Sequence, residues 1–91
     1  MLHILNRETI ENLLNGVDLS FLISKGFIAY SSGQVMVPPI GELTFKDPPG
    51  DVHIKYGYIK GDKYYIVKIA SGFWENQKYG IPNGQGMMLL F

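Results

Sequence analysis

Hydrophobic and polar positions along this chain fall into two regimes, helical spacing before Gly33 and alternation after it. Ile10, Leu13 and Leu14 form one apolar stripe, and Gly16 ends that short helix. Asn6 precedes it as an N-cap, with Leu5 and Ile10 spaced as a hydrophobic staple. Asp18 is placed as the next N-cap, with Val17 and Leu22 set for a second staple. Phe21, Leu22, Phe27, Ile28 and Tyr30 then keep a helical rhythm until Ser31-Ser32-Gly33. Gly26 inside this helix costs about 1 kcal/mol relative to alanine, which predicts close packing there. Ahead of both helices, the apolar run Leu2 to Leu5 predicts a first strand.

Strand signals follow. Val35 and Val37 alternate with flexible or polar partners up to Pro38-Pro39, which predicts an edge or a bend. Glu42 to Lys46 resumes an extended segment, and Asp47-Pro48-Pro49-Gly50 is a turn. Val52 to Ser71 reads as a hairpin about a two-residue turn at Gly61-Asp62. Pairing outward from that turn sets Lys60 opposite Lys63, Ile59 opposite Tyr64, Gly57 opposite Ile66 and Lys55 opposite Lys68. One face then carries His53, Lys55, Gly57, Ile59, Tyr64, Ile66, Lys68 and Ala70. The other carries Ile54, Tyr56, Tyr58, Tyr65, Val67 and Ile69, a continuous apolar surface suited to helix or subunit packing. Ser71 to Gly86 is rich in glycine and asparagine and predicts a loop. Met87 to Phe91 predicts a buried strand, and the chain's stop inside that apolar run predicts a truncated domain.

Lys55 opposite Lys68 is the pairing with chemical content. Like charges directly opposite on a sheet face are destabilising. An anion lying between the two ammonium groups would offset that cost; alternatively both side chains snorkel to water over their apolar neighbours. His53 shares their face and could hydrogen-bond a ligand or work as an acid or base near neutral pH, although a strand histidine is commonly structural. Glu42 sits on a strand that could neighbour the hairpin. There it could touch ligand, or pair with a lysine and remove the need for an anion.

Composition narrows the classes. A 91-residue chain that is 46% hydrophobic, with a formal charge of +0, fits one small globular domain rather than a disordered segment. Its neutral balance, without basic clusters, argues against a nucleic-acid partner. No apolar stretch approaches the ~20 residues of a membrane helix, so no membrane partner is expected either. The absence of cysteine excludes disulfides and thiolate metal sites and favours a cytoplasmic setting. With two histidines and no thiol, no metal site is expected. Gly80-Ile81-Pro82-Asn83-Gly84-Gln85-Gly86 lacks the G-x-G-x-x-G spacing of a dinucleotide fingerprint.

Tyr65-Ile66-Val67-Lys68-Ile69-Ala70-Ser71-Gly72-Phe73, then Gly80-Ile81-Pro82, then Gln85-Gly86-Met87-Met88-Leu89-Leu90-Phe91 form a sequence of motifs. Together they resemble the ornithine cyclodeaminase/mu-crystallin family, with its V-K-x-(V/A)-(T/S) strand, G-(L/I)-P loop and following apolar strand. Met36-Val37-Pro38-Pro39 and Phe27 to Gly33 resemble that family's beginning. The resemblance implies an NAD(P)-dependent enzyme or binding protein of amino or imino acids. In such proteins the N-terminal region binds substrate and dimerises by joining sheets, and a Rossmann domain holds the nucleotide. It also implies that Lys68 is the catalytic, substrate-contacting lysine, holding a carboxylate or polarising a C=N group, with Lys55 a second carboxylate contact. The arginine that often follows the Pro-Pro is replaced here by Ile40-Gly41-Glu42. On this resemblance the Rossmann domain is expected to be absent from residues 1-91, with the acidic residue and arginine that the family carries downstream.

The expected fold is therefore α+β: two N-terminal helices on a mixed, mostly antiparallel sheet, extended by dimerisation. Residues 1-91 are expected to form a single substrate-binding and dimerisation domain, inactive alone and binding no cofactor by itself. Substrate contacts are assigned to Lys55, Lys68, His53 and Glu42, and the expected partners are an amino or imino acid carboxylate and a second copy of the chain. The alternative is a stand-alone homo-oligomeric module that binds a small anion or serves a structural role without redox chemistry.

Overall fold

The computed structural model describes all 91 residues. Helix α1 spans Arg7–Leu13, and Asn6 caps it by accepting a hydrogen bond from the Thr9 amide at 2.9 Å. Helix α2 spans Leu19–Ser31, capped by Asp18 through the Phe21 amide at 3.0 Å. Each cap satisfies an amide that the first helical turn leaves without a partner. Gly16 and Gly33 follow the two helices at φ +78° and +76°, a left-handed conformation in which a Cβ would be strained. Both helices thus lie where the spacing puts them.

Five strands complete the chain: β1 (Val35–Met36), β2 (Gly41–Lys46), β3 (Pro49–Ile59), β4 (Ile66–Phe73) and β5 (Gly84–Leu90). All four strand pairings are antiparallel. The long β3 lies at the centre; β2 and β1 pair with successive parts of one of its edges, and β4 then β5 continue from the other. The fold is α+β, two helices and an open antiparallel sheet. No helix is long and apolar enough to cross a membrane.

Several local expectations change. Residues Leu2 to Leu5 are not a strand; no sheet edge lies against them to supply the hydrogen bonds a strand requires. At the hairpin end, strand pairing stops at Gly57↔Ile66. Beyond it the Lys60 amide donates to the Gln34 carbonyl, and the Asp62 amide turns back to the Ile59 carbonyl. β3 is therefore drawn towards β1, and the two-residue turn predicted at Gly61-Asp62 opens into a wider loop. Strand β5 starts at Gly84, three residues before the predicted Met87. Gly86 belongs to it by pairing with Ala70, and a Cβ there would stand 2.5 Å from the Ile69 carbonyl oxygen, so glycine is required. Gly26 meets nothing within 4 Å, so the close packing expected there is absent.

The apolar residues do not gather into an interior. Gly50 alone is buried, and the radius of gyration is 16.0 Å, against about 12 Å for a compact domain of this length. Phe27 is 70% exposed and Met88 65%. The helices and the sheet stand apart and present their apolar faces outward.

Candidate functional site

The sheet register decides which side chains meet. β3 pairs with β4 as Gly57↔Ile66, Lys55↔Lys68 and His53↔Ala70, the register read from the hairpin sequence. β2 joins the other edge of β3 as Glu42↔His53, and β5 closes the row as Ala70↔Gly86 and Lys68↔Met88. Because paired residues share a face and alternate residues of a strand share it too, Glu42, His53, Lys55 and Lys68 all project from one side of the sheet. The four residues singled out in the sequence, from three different strands, therefore form one cluster.

Within the cluster Glu42 and His53 stand together, Glu42 Oε1 lying 3.5 Å from His53 Nε2. Neither lysine forms an ion pair; the carboxylates within 4 Å of a basic side chain are Glu11 with Arg7, Glu42 with His53 and Glu75 with Lys78. Glu42 thus faces the imidazole and leaves the lysines uncompensated. Lys55 and Lys68 are both exposed, His53 half-buried. Ala70 and Gly86 continue the His53 row with little or no side chain, so the sheet surface beside the lysines is shallow. Asp51 shares the face two residues beyond His53, opposite Thr44 on β2 and Gly72 on β4. Asp51 and Met88 were not foreseen as neighbours of the site. Asp51 follows from the hairpin register already in hand, whereas Met88 depended on the start of β5, which the glycine-rich stretch concealed.

The opposite face has a different chemistry. Phe45 and Phe73 rings lie 5.4 Å apart there, and Tyr65 stacks on Phe91 at 5.1 Å. At the loop end of the hairpin a cleft of about 440 Å³ is lined by Met36, Pro38, Tyr56, Tyr58, Tyr64 and Tyr65, among others, and includes none of the four clustered residues. The loop between β4 and β5 is fixed by its own asparagines: Asn76 Nδ2 donates to the Pro82 carbonyl at 3.1 Å, and Asn83 Oδ1 accepts from the Gln77 amide at 3.2 Å. That loop leads into an antiparallel strand rather than a helix, so the glycines from Gly80 to Gly86 build no dinucleotide cradle.

An α+β chain with an uncompensated lysine pair on an antiparallel sheet is the class that fold and cluster define. Over 68 residues, 75% of its length, the chain is 35% identical to a Rhizobium meliloti protein provisionally named a dehydrogenase, covering 21% of that relative. Over 56 residues, 62% of its length, it is 43% identical to an uncharacterized cyclodeaminase, y4tK, of Sinorhizobium fredii, covering 17% of it. No protein-family model matches the chain, and no solved structure does. The two relatives bear out the resemblance carried by the motifs: the chain is similar to one segment of a cyclodeaminase and of a dehydrogenase. It spans about a fifth of the length of the curated relatives it matches.

Proposed function

We propose that this chain is the substrate-binding portion of an ornithine cyclodeaminase-like, NAD(P)-dependent oxidoreductase or deaminase acting on amino or imino acids. The observation that carries the proposal is Lys55 directly opposite Lys68 on one sheet face, with neither ammonium group paired to a carboxylate. Two ammonium groups so placed form a site for one carboxylate, because a bound anion turns a repulsive pair into two charge-assisted hydrogen bonds. Lys68, between β3 and β5, holds the carboxylate or donates to a C=N nitrogen, stabilising charge that develops there. Lys55 takes the second carboxylate oxygen, and His53 and Glu42 border the ligand on the next row. Deamination with cyclisation and reduction of a cyclic imine are both consistent with such a grip.

The chain's own residues supply binding and orientation and no nucleotide site, so it is inactive by itself in this proposal. Its second partner is another copy of the chain. The exposed apolar faces of α2 and of the tyrosine-bearing sheet side support that, since surfaces of this kind mark association sites. The nicotinamide nucleotide belongs to the whole protein of this family and is proposed for it alone.

Isothermal titration with ornithine, proline and pyrroline carboxylate tests the site. Saturable binding of one of them, lost in Lys68→Met and weakened in Lys55→Met, is the expected result. Binding that survives Lys68→Met would remove the lysine pair from the function.

A further inference from the structure

Glu42 faces an imidazole and an ammonium group. His53 lies directly opposite it across the β2–β3 ladder, and Lys55 lies two residues further along β3 on the same face. In the structure the carboxylate is turned to the imidazole, Glu42 Oε1 to His53 Nε2, 3.5 Å. Diagonal neighbours in a sheet are about 7–8 Å apart at the backbone, within reach of side chains as long as glutamate and lysine. The partner Glu42 prefers therefore depends on the charge of His53.

We propose that Glu42 and His53 form a proton-controlled counter-charge for the lysine pair, so that His53 protonation opens the anion site and deprotonation lets Glu42 compete for it. The proposal rests on Lys55 and Lys68 being the carboxylate site. When the imidazole is charged it holds Glu42 as an ion pair and adds a positive charge to the face. When it is neutral that hold weakens, and Glu42 swings to Lys55, where it stands in the place of an incoming carboxylate. Both effects have one sign: anion affinity is higher with the imidazole charged than with it neutral.

The other groups on this face do not reverse the sign. On β3, Asp51 and Lys55 flank His53 on either side; on β2, Lys46 shares the face with Glu42; on β4, Lys68 is next to the uncharged Ala70; β5 brings no charged residue.

The test is L-proline affinity of the chain at about pH 5.5 and about pH 8, which bracket imidazole titration, since proline itself keeps one charge state between them. The wild type binds more tightly at the lower pH. Exposed charge pairs are worth up to about 1 kcal/mol, so Glu42→Gln tightens binding at about pH 8 by about two- to fivefold and flattens the pH dependence. His53→Gln binds at the lower pH as weakly as the wild type does at the higher. Equal pH dependence in wild type and Glu42→Gln, with binding still lost in Lys68→Met, overturns the counter-charge and leaves the lysine site standing. Binding indifferent to Lys68→Met, or absent at both pH values for proline, ornithine and pyrroline carboxylate alike, overturns both. Unliganded melting temperatures of the variants check that each is folded.

Discussion

Lys55 and Lys68 set stability against binding. Each sits across from a like charge with no counter-ion in the chain, and such pairs cost roughly 0.2–1 kcal/mol. Lys68→Met should therefore stabilise the unliganded chain by about 0.5 kcal/mol in urea denaturation while abolishing carboxylate binding. A loss of stability would show that the lysine stem contributes more by packing than its charge costs. This pairing was legible because only the hairpin's own register was needed. The wider loop at Gly61-Asp62 did not disturb it, since the register is held at Gly57↔Ile66 and beyond. Glu42 beside His53 was less legible: sequence placed both near the lysines, but the partner of Glu42 depended on how β2 docks, which no local turn encodes.

At the scale of elements, caps and glycines make the predictions. Asn6 holds the first turn of α1 through the Thr9 amide, and Asn6→Ala should cost about 1 kcal/mol of stability. Gly26 lies within α2 where an added Cβ meets nothing. Gly26→Ala should thus raise stability by about 1 kcal/mol, read as a higher urea midpoint; a destabilised variant would mean that α2 is packed against something at that position. Gly57 is the opposite case, because a Cβ there would lie 2.5 Å from the Met36 carbonyl oxygen. Helix ends and strand faces could be read from caps and alternation. The start of β5 could not, because Gly84 and Gly86 carry no hydrophobic signal, although the backbone of Gly86 closely approaches the Ile69 carbonyl. The Leu2 to Leu5 run shows the converse: apolar residues make a strand only where an edge accepts them.

The whole molecule is defined by what it leaves uncovered. One face of the sheet is cationic around Lys55 and Lys68; the other is aromatic, with Tyr56, Tyr58 and Tyr65, and α2 exposes Phe21, Phe27 and Ile28. A second copy joined through the apolar surfaces leaves the lysine face open to ligand, and sedimentation should give twice the mass of the 10.2 kDa chain; a monomer at high concentration would assign those surfaces to another part of a longer protein. Composition and pattern made the α+β class readable, but the separation of helices from sheet was not, because amphipathic spacing tells which face seeks cover and not what covers it. The central claim, a carboxylate site on the lysine face, is tested most directly by amide chemical-shift mapping of the isotope-labelled chain titrated with ornithine, proline or pyrroline carboxylate. Shifts centred on His53, Lys55, Lys68 and Ala70, absent in Lys68→Met, are the predicted result; shifts centred on the tyrosine cleft, or none with any of the three ligands, would contradict it.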